Sequence, residues 1–433
     1  MLLKFKLENF KSYLEEQVFT MERSSDRILD KHIIGNQDNE GLKFSAIYGA
    51  NASGKTNLLE AIQYFQYLVT TSKMLEVNDS LLYEPHKLSP NKGTTLGLLF
   101  LKNNIKYYYE VKLNSKNIID EKLYYYKDRQ NTIFERTDTS NIKINRAFET
   151  EFTQMVDKTL DNKLFLTTIA AWSDNEHIKN VTQFIKEDLI VITKFDNSSL
   201  LEYTSSLYSE GNKKFKNKFL KVFKDFGLKN LQDINVQINE KDILDEERSN
   251  LIPSRIQSIF GGVEQVLRNN STKGSNSKKF DIKFKYAYED HQYFIDLYNE
   301  SRGVMKLYEL LGMLFTIIKE DKVLFIDEIE CSIHPMVLNE ILELFTQESS
   351  HSQLVFTTHN EMFLDLSKLR RDEIWFVERE NNITSQLYSL WDIKGVRKNE
   401  NIKLGYYNKR YGAHPDVDFK DILVSEKDGS QNE

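Results

Sequence analysis

The sequence predicts an α/β protein: a mixed, mostly parallel sheet flanked by helices, joined by an antiparallel β meander and interrupted by a helical insertion. Three observations carry this reading. The glycine-rich loop Gly49-Ala-Asn-Ala-Ser-Gly54-Lys55-Thr56 opens between an apolar run and a helical pattern. Past residue 300, short continuous apolar runs alternate with helical patterns, as strands buried on both faces require. Between Gly93 and Arg136, three runs rich in Tyr, Phe, Leu, Ile and Val are split by turn-like asparagine and lysine segments.

Taken in order, Met1 to about Thr20 reads as strand, turn, strand, and residues 22–41 as a polar loop. Phe44–Tyr48 is the strand that enters the glycine-rich loop, and a helix runs from Asn57 to about Leu68. The meander strands are expected at Thr95–Leu101, Lys106–Leu113 and Ile118–Tyr126, with the tyrosines at 107–109 and 124–126 as ordinary sheet packing. Residues 145 to about 270 show helical spacing (Phe148, Phe152, Met155, Val156, Leu160) without sustained heptads, so a compact insertion is expected rather than coiled-coil arms. Arg268–Lys279 reads as a surface loop, and Phe280–Tyr288 with Tyr293–Tyr298 as a hairpin. Then come a helix through Met305 and Ile318, a strand at Val323–Ile326, a helix near Val337–Phe345, a strand at Leu354–Thr357, a helix near Glu361–Leu369 and a strand at Ile374–Val377. This divides the chain into an N-terminal lobe (1–140), the insertion (141–275), a C-terminal lobe (276–415) and a polar tail (416–433).

The 433 residues suffice for a large core, and 40% hydrophobic with 28% charged residues is ordinary for a globular protein. A net charge of −7 argues against coating nucleic acid non-specifically. The single cysteine, Cys331, excludes internal disulfides, and no apolar run approaches a membrane span. A cytoplasmic protein without a membrane partner is the expectation.

The glycine-rich loop has the spacing of a phosphate-binding loop. Glycines at both ends let successive N–H groups, those of Gly49, Asn51, Ser53 and Gly54 among them, curl around phosphate oxygens. The following helix presents its positive end to the same anion, Lys55 reaches the β/γ-phosphates, and the Thr56 hydroxyl holds Mg²⁺. A nucleoside triphosphate is the expected ligand.

A second half-site follows from Val323-Leu324-Phe325-Ile326-Asp327-Glu328. Such a strand sits mid-sheet, and its carboxyl end is where open α/β sheets place ligands. Asp327 is the expected partner of Thr56 on the metal, and Glu328 the general base for an attacking water. His359 follows the next apolar strand and emerges on the same edge, placed to contact a γ-phosphate. Ser301-Arg302-Gly303 starts the helix before the Asp-Glu strand, where a serine cap and a glycine offer a second anion site. Two phosphate-grasping elements in one chain suggest that the second grips a nucleotide bound to another copy.

This set of motifs is similar to the heads of ABC-type ATPases, in the branch containing the SMC, RecF and OLD proteins. Lys6-Leu7-Glu8-Asn9-Phe10-Lys11-Ser12-Tyr13 resembles that branch's first strand and turn, which puts Lys11 and Ser12 near the nucleotide. Asp327 to Pro335, together with Gln353–Asn360, Arg370–Phe376 and Lys409–Pro415, resembles the stand-alone abortive-infection type of AAA ATPase found in bacterial anti-phage defence loci. The resemblance covers roughly residues 1–100 and 280–415. It implies ATP and Mg²⁺ as ligands, and a head-to-head dimer with ATP between the phosphate loop of one copy and Ser301 and Gly303 of the other. It also implies His359 as the switch and Glu330–His334 at the dimer seam. The signature carries Arg302 where the best-known version has glycine, and no glutamine stands at an obvious strand end to serve as the usual metal-linked residue.

Three functions compete at this level, the least favoured being a nuclease in its own right. One is an ATP-hydrolysing sensor or scaffold in phage defence, acting with a separately encoded nuclease or toxin effector and answering a phage trigger protein. The expectation rests on the motifs above and on the absence of a nuclease constellation after Trp375. The alternative is a DNA-repair or chromosome-maintenance ATPase acting directly on DNA, for which Lys213, Lys214, Lys216, Lys218, Lys221 and Lys224 form the candidate contact. An exposed solvated helix face is the plainer reading of that lysine run.

Overall fold

The computed structural model describes all residues except 37–38, 194–197, 241–277, 382, 398 and 415–433. Most of the expected Arg268–Lys279 loop and all of the polar tail therefore lie outside the described residues.

Strands β1 (Leu2–Glu8) and β2 (Gln17–Thr20) form a hairpin, β3 (Ile33–Asn36) and β4 (Asn39–Leu42) a second, and β5 (Phe44–Tyr48) leads into α1 (Lys55–Thr71). The meander is β6 (Thr94–Lys102), β7 (Ile105–Leu113), β8 (Ile118–Tyr126), β9 (Gln130–Thr137) and β10 (Asn141–Ile144). Helices α2 (Glu149–Val156), α3 (Phe165–Trp172) and α4 (Glu176–Gln183) precede β11 (Leu189–Ile192), and α5 (Ser198–Glu210) and α6 (Lys213–Asp225) precede β12 (Leu231–Glu240). Then follow β13 (Lys278–Tyr288), β14 (His291–Asp296), α7 (Arg302–Glu320), β15 (Val323–Ile326), α8 (Pro335–Glu348), β16 (Gln353–Thr357), β17 (Ile374–Glu380), β18 (Thr384–Ser389) and α9 (Ile402–Tyr407).

The central sheet has the order β11-β15-β16-β5-β17-β18, parallel throughout except for β18. All residues of β5, β11, β15 and β16 are buried. Because side chains alternate across a strand, each of these strands feeds two cores. Ala46, Ile192, Leu324, Ile326 and Phe356 pack on one face with α7 and α8. Ile47, Val191, Val323, Phe325 and Val355 pack on the other with α1 and the seven-stranded antiparallel sheet, ordered β10-β9-β8-β7-β6-β1-β2. Burying each Leu, Ile, Val or Phe contributes roughly 1.5–3 kcal/mol, so a double-sided sheet fixes its strand ends firmly. A rigid edge of this kind can carry a site.

Three local expectations are corrected. Residues 22–41 hold the β3–β4 hairpin rather than only loop. The helix expected over Glu361–Leu369 is a single turn at Glu361–Phe363. Asp365 then organises a turn instead, its side chain accepting the Ser367 N–H and its carbonyl those of Lys368 and Leu369. Within the stretch expected to be helical, Leu189–Ile192 is a core strand beside β15. An isolated four-residue apolar run cannot be told from buried helix by periodicity.

Candidate active site

The parallel order places the carboxyl ends of β5, β15 and β16 side by side, and the chemistry-bearing residues follow those ends. The phosphate loop leaves β5 through Gly49, where an added Cβ would lie 2.4 Å from the Val377 carbonyl and 2.5 Å from Ser53 Oγ. Gly54 has φ 119°, and a Cβ there would lie 2.3 Å from Ser385 Oγ. Both glycines are thus dictated by close approach, and Gly54 also by its backbone. Lys55 is buried and folds back on the loop, its Nζ donating to the carbonyls of Gly49 (2.8 Å) and Ala50 (3.1 Å). Burial pulls the ammonium's pKa down, while Asp327, Glu328 and Glu330 act to keep it charged. Ser53 Oγ is buried without a hydrogen-bond partner among the described residues, and Asn51 is exposed on the loop.

Thr56 Oγ1 donates to Asp327 Oδ2 at 2.7 Å, across 271 residues of sequence. The other oxygen, Asp327 Oδ1, accepts from Thr357 Oγ1 at 2.5 Å, and Thr357 Oγ1 in turn accepts the Glu328 N–H at 2.8 Å. Glu328 is exposed in the left-handed region at φ 47°, a conformation that costs a non-glycine residue about 1–3 kcal/mol and is found where function needs it. His359 lies two residues past the end of β16. Burial lowers its pKa below the ordinary value, with the Lys55 charge adding to the effect. The structure therefore brings Lys55, Thr56, Asp327, Glu328 and His359 to one edge.

Lys11 and Ser12 also reach the loop's surroundings. Ser12 Oγ accepts from Asn57 Nδ2 (2.8 Å) and lies within hydrogen-bond distance of Ser385 Oγ (2.7 Å), while Lys11 pairs with Glu60 (2.8 Å) and Glu84 (3.0 Å). Beside Ser12 and Asn57 opens a cleft of about 630 Å³ whose walls include Glu84, His86, Leu88 and Arg379. Ser301 and Gly303 make their described contacts elsewhere. Ser301 Oγ caps α7 by accepting the Val304 N–H at 3.3 Å. Gly303 faces the Ser332 carbonyl, 2.7 Å from where its Cβ would stand.

Several contributors were invisible to sequence reasoning. Thr357 bridges Asp327 and Glu328. Ser385 Oγ donates to the Ser53 carbonyl, and Tyr13 OH donates to that of Gly54 (3.0 Å). Tyr13 sat within a recognised turn, whereas nothing local marked Ser385.

The donor set suits a triphosphate with Mg²⁺. Among the described residues no group of three His, Cys, Asp or Glu could hold a metal. One hydroxyl and one carboxylate is the sparse oxygen set with which Mg²⁺ is bound when phosphates and water complete its shell. The glycine cradle and the buried ammonium provide the complementary phosphate site. Fold and site together define a P-loop ATPase domain.

Residues 44–366, well over half of the chain, match the family model described as "AAA domain, putative AbiEii toxin, Type IV TA system". The chain belongs to this AAA domain family. Solved structures similar to it include an SMC head bound to the C-winged helix domain of ScpA (14% identity, TM-score 0.41, 90% of this chain and 97% of that one). The SMC head domain from Thermotoga maritima is similar at 15% identity and TM-score 0.40, over 90% and 98% of the two chains. An Smc head with an extended coiled coil, bound to the C-terminal domain of ScpA and derived from Pyrococcus furiosus, is similar at 15% and 0.36, over 90% and 96%. These likenesses are weak, and the strand order itself defines the fold. A comparison with curated proteins finds no match.

Proposed function

We propose that the chain binds ATP with Mg²⁺ and hydrolyses it between two copies of itself, as the sensor or scaffold half of a bacterial anti-phage system with a separate effector. The Thr56–Asp327 contact carries the first part, because it joins the phosphate loop to the carboxylate strand in one protomer. In this reading the N–H groups of Gly49–Thr56 and the Lys55 ammonium hold the β- and γ-phosphates. Thr56 and Asp327 hold Mg²⁺, which when bound offsets phosphate charge. The cleft beside Ser12 and Asn57 receives the nucleoside. Glu328 takes a proton from water as its oxygen attacks the γ-phosphorus and ADP leaves, and His359 contacts the γ-phosphate. Ser301 and Gly303 serve the nucleotide of the opposing copy.

The defence assignment is supported by the family description, which names a toxin of a toxin–antitoxin system, and by the motif resemblance. Within it, residues 1–140 and 276–415 act as the two lobes of the head, with 141–275 as an insertion. ATP closes two heads, and hydrolysis or a phage trigger shifts that equilibrium and alters the hold on a nuclease or toxin effector. Two of the similar SMC heads are bound to pieces of ScpA, and a protein partner is proposed here too. The test is capture of partners from the native host with tagged Glu328→Gln and ATP. One stoichiometric nuclease or toxin supports the reading, and DNA without a protein partner contradicts it.

One observation keeps the DNA-directed alternative in view. On α6, Lys213, Lys214, Lys221 and Lys224 form no ion pair among the described residues, while Lys218 pairs with Glu348 at 2.7 Å. A steeply salt-dependent duplex affinity of the chain alone would favour that alternative.

A further inference from the structure

The loop after β15 carries a third acid whose contacts single it out. Three bonds tie this loop to the end of β16, and all stop at Thr357. Thr357 Oγ1 donates to Asp327, the Glu328 N–H donates to Thr357 Oγ1, and the Ile329 N–H donates to the Thr357 carbonyl at 3.2 Å. Past Thr357 the next bonds go elsewhere, Thr358 N–H donating to the Ile47 carbonyl of β5 and Asn360 N–H to Thr358 Oγ1. Among the described bonds, the one that reaches the His359 backbone comes from Glu330, whose Oε1 accepts the His359 N–H at 2.5 Å.

We propose that Glu330 is a positioning residue for hydrolysis: its carboxylate holds His359 at the edge of the phosphate-loop cleft. The inference rests on the ATPase reading of the site and on His359 contacting the γ-phosphate. Two further observations support it. The second oxygen, Oε2, is buried without a hydrogen-bond partner among the described residues. A carboxylate oxygen buried without a partner opposes folding, so a purely structural role does not account for it. The charge also faces the loop, because it acts on Lys55, on the His359 ring and on the Tyr48 phenol that precedes Gly49. A side chain that meets a reacting phosphate has to be held closely, and a shift of about 1 Å can cost about 10²-fold in rate. In this protomer, then, Glu330 acts on its own site, whatever its place at a dimer seam.

The test is steady-state ATP turnover and nucleotide affinity of the full chain carrying Glu330→Ala, Glu330→Gln, His359→Ala and the double variant Glu330→Ala/His359→Ala. The expected result is that Glu330→Ala lowers kcat about tenfold or more, short of the full misplacement cost, while affinity for ATP holds. Glu330→Gln keeps an acceptor for the His359 N–H and recovers most of the rate even if Glu330→Ala folds poorly. In the double variant the Glu330 change adds no loss beyond His359→Ala, as residues acting through one contact require. Wild-type kcat in Glu330→Ala, fully multiplicative losses in the double variant, or Glu330→Gln as slow as His359→Ala would each overturn the proposal. A wild-type chain that turns over no ATP would instead defeat the parent reading, a separate result from an active enzyme indifferent to Glu330.

Discussion

The phosphate-loop edge and the Ser301–Gly303 helix start are both anion-binding geometries, yet they are finished to different degrees. At the loop, Thr56, Asp327, Thr357 and Glu328 form one hydrogen-bonded chain inside the protomer, and Lys55 folds back beside it on the Gly49 and Ala50 carbonyls. At the helix start, among the described residues, Ser301 caps α7 and Gly303 makes room for the Ser332 carbonyl. The difference teaches that one half of the site is assembled by the fold itself. The other half has a local structural duty first, and in the function proposed above the phosphate it grips belongs to another copy.

The largest effect should come from the assembled half. Lys55→Ala is expected to abolish ATP binding and to lower turnover by at least about 10²-fold, the typical cost of one charge-stabilising group; nucleotide affinity by calorimetry checks it. Glu328→Gln should preserve ATP binding and reduce hydrolysis by about 10²–10⁴-fold, the usual worth of a general base, measured as phosphate release. Turnover at the wild-type rate would remove Glu328 from its role.

The unassembled half should respond in stability as well as activity. Gly303→Ala forces backbone apart at Ser332 and is expected to cost about 1–3 kcal/mol in the isolated protomer, read as a lower thermal midpoint. An unchanged midpoint would mean that Gly303 serves only the opposing copy. Ser301→Ala should cost about 1 kcal/mol through the lost cap, with turnover falling further than that stability loss explains. Turnover that tracks stability alone would erase the contrast.

The smallest effect is one of pH. Burial and the neighbouring Lys55 charge depress the His359 pKa below its usual value of about 6.5. The neutral ring is therefore favoured in the folded state. Its contribution to stability is complete above the ordinary value and is lost as pH falls through the depressed one. Hydrolysis should stay flat from pH 8 to below 6.5 and fall only at more acid pH. His359→Gln should lose that acid limb, and a wild-type rate that already halves near pH 7 would contradict the assignment.

Much of this contrast was legible in the sequence, for a physical reason. A phosphate loop needs two glycines and a lysine at fixed spacing within one short stretch, and a mid-sheet strand ending in Asp327-Glu328 announces its own edge. Thr357 and Ser385 could not be read so, because their roles exist only where distant strands meet. Ser385 touches the loop across 332 residues. Leu189–Ile192 went unrecognised because four apolar residues carry no period. Gly303 was read by its motif, while the carbonyl it accommodates belongs to a loop that only the fold brings near. Glu330 was placed by resemblance at a seam, and its bond to His359 had no signature in the chain.

The central claim is that ATP joins the assembled half of one copy to the unassembled half of another. The most direct test is the solution mass of Glu328→Gln with and without Mg²⁺ and ATP, compared with the same protein carrying Ser301→Arg. The account predicts that ATP drives Glu328→Gln into a larger, even-numbered assembly and that Ser301→Arg prevents this without weakening ATP binding to the single chain. An assembly indifferent to ATP, or one that survives Ser301→Arg, would contradict it.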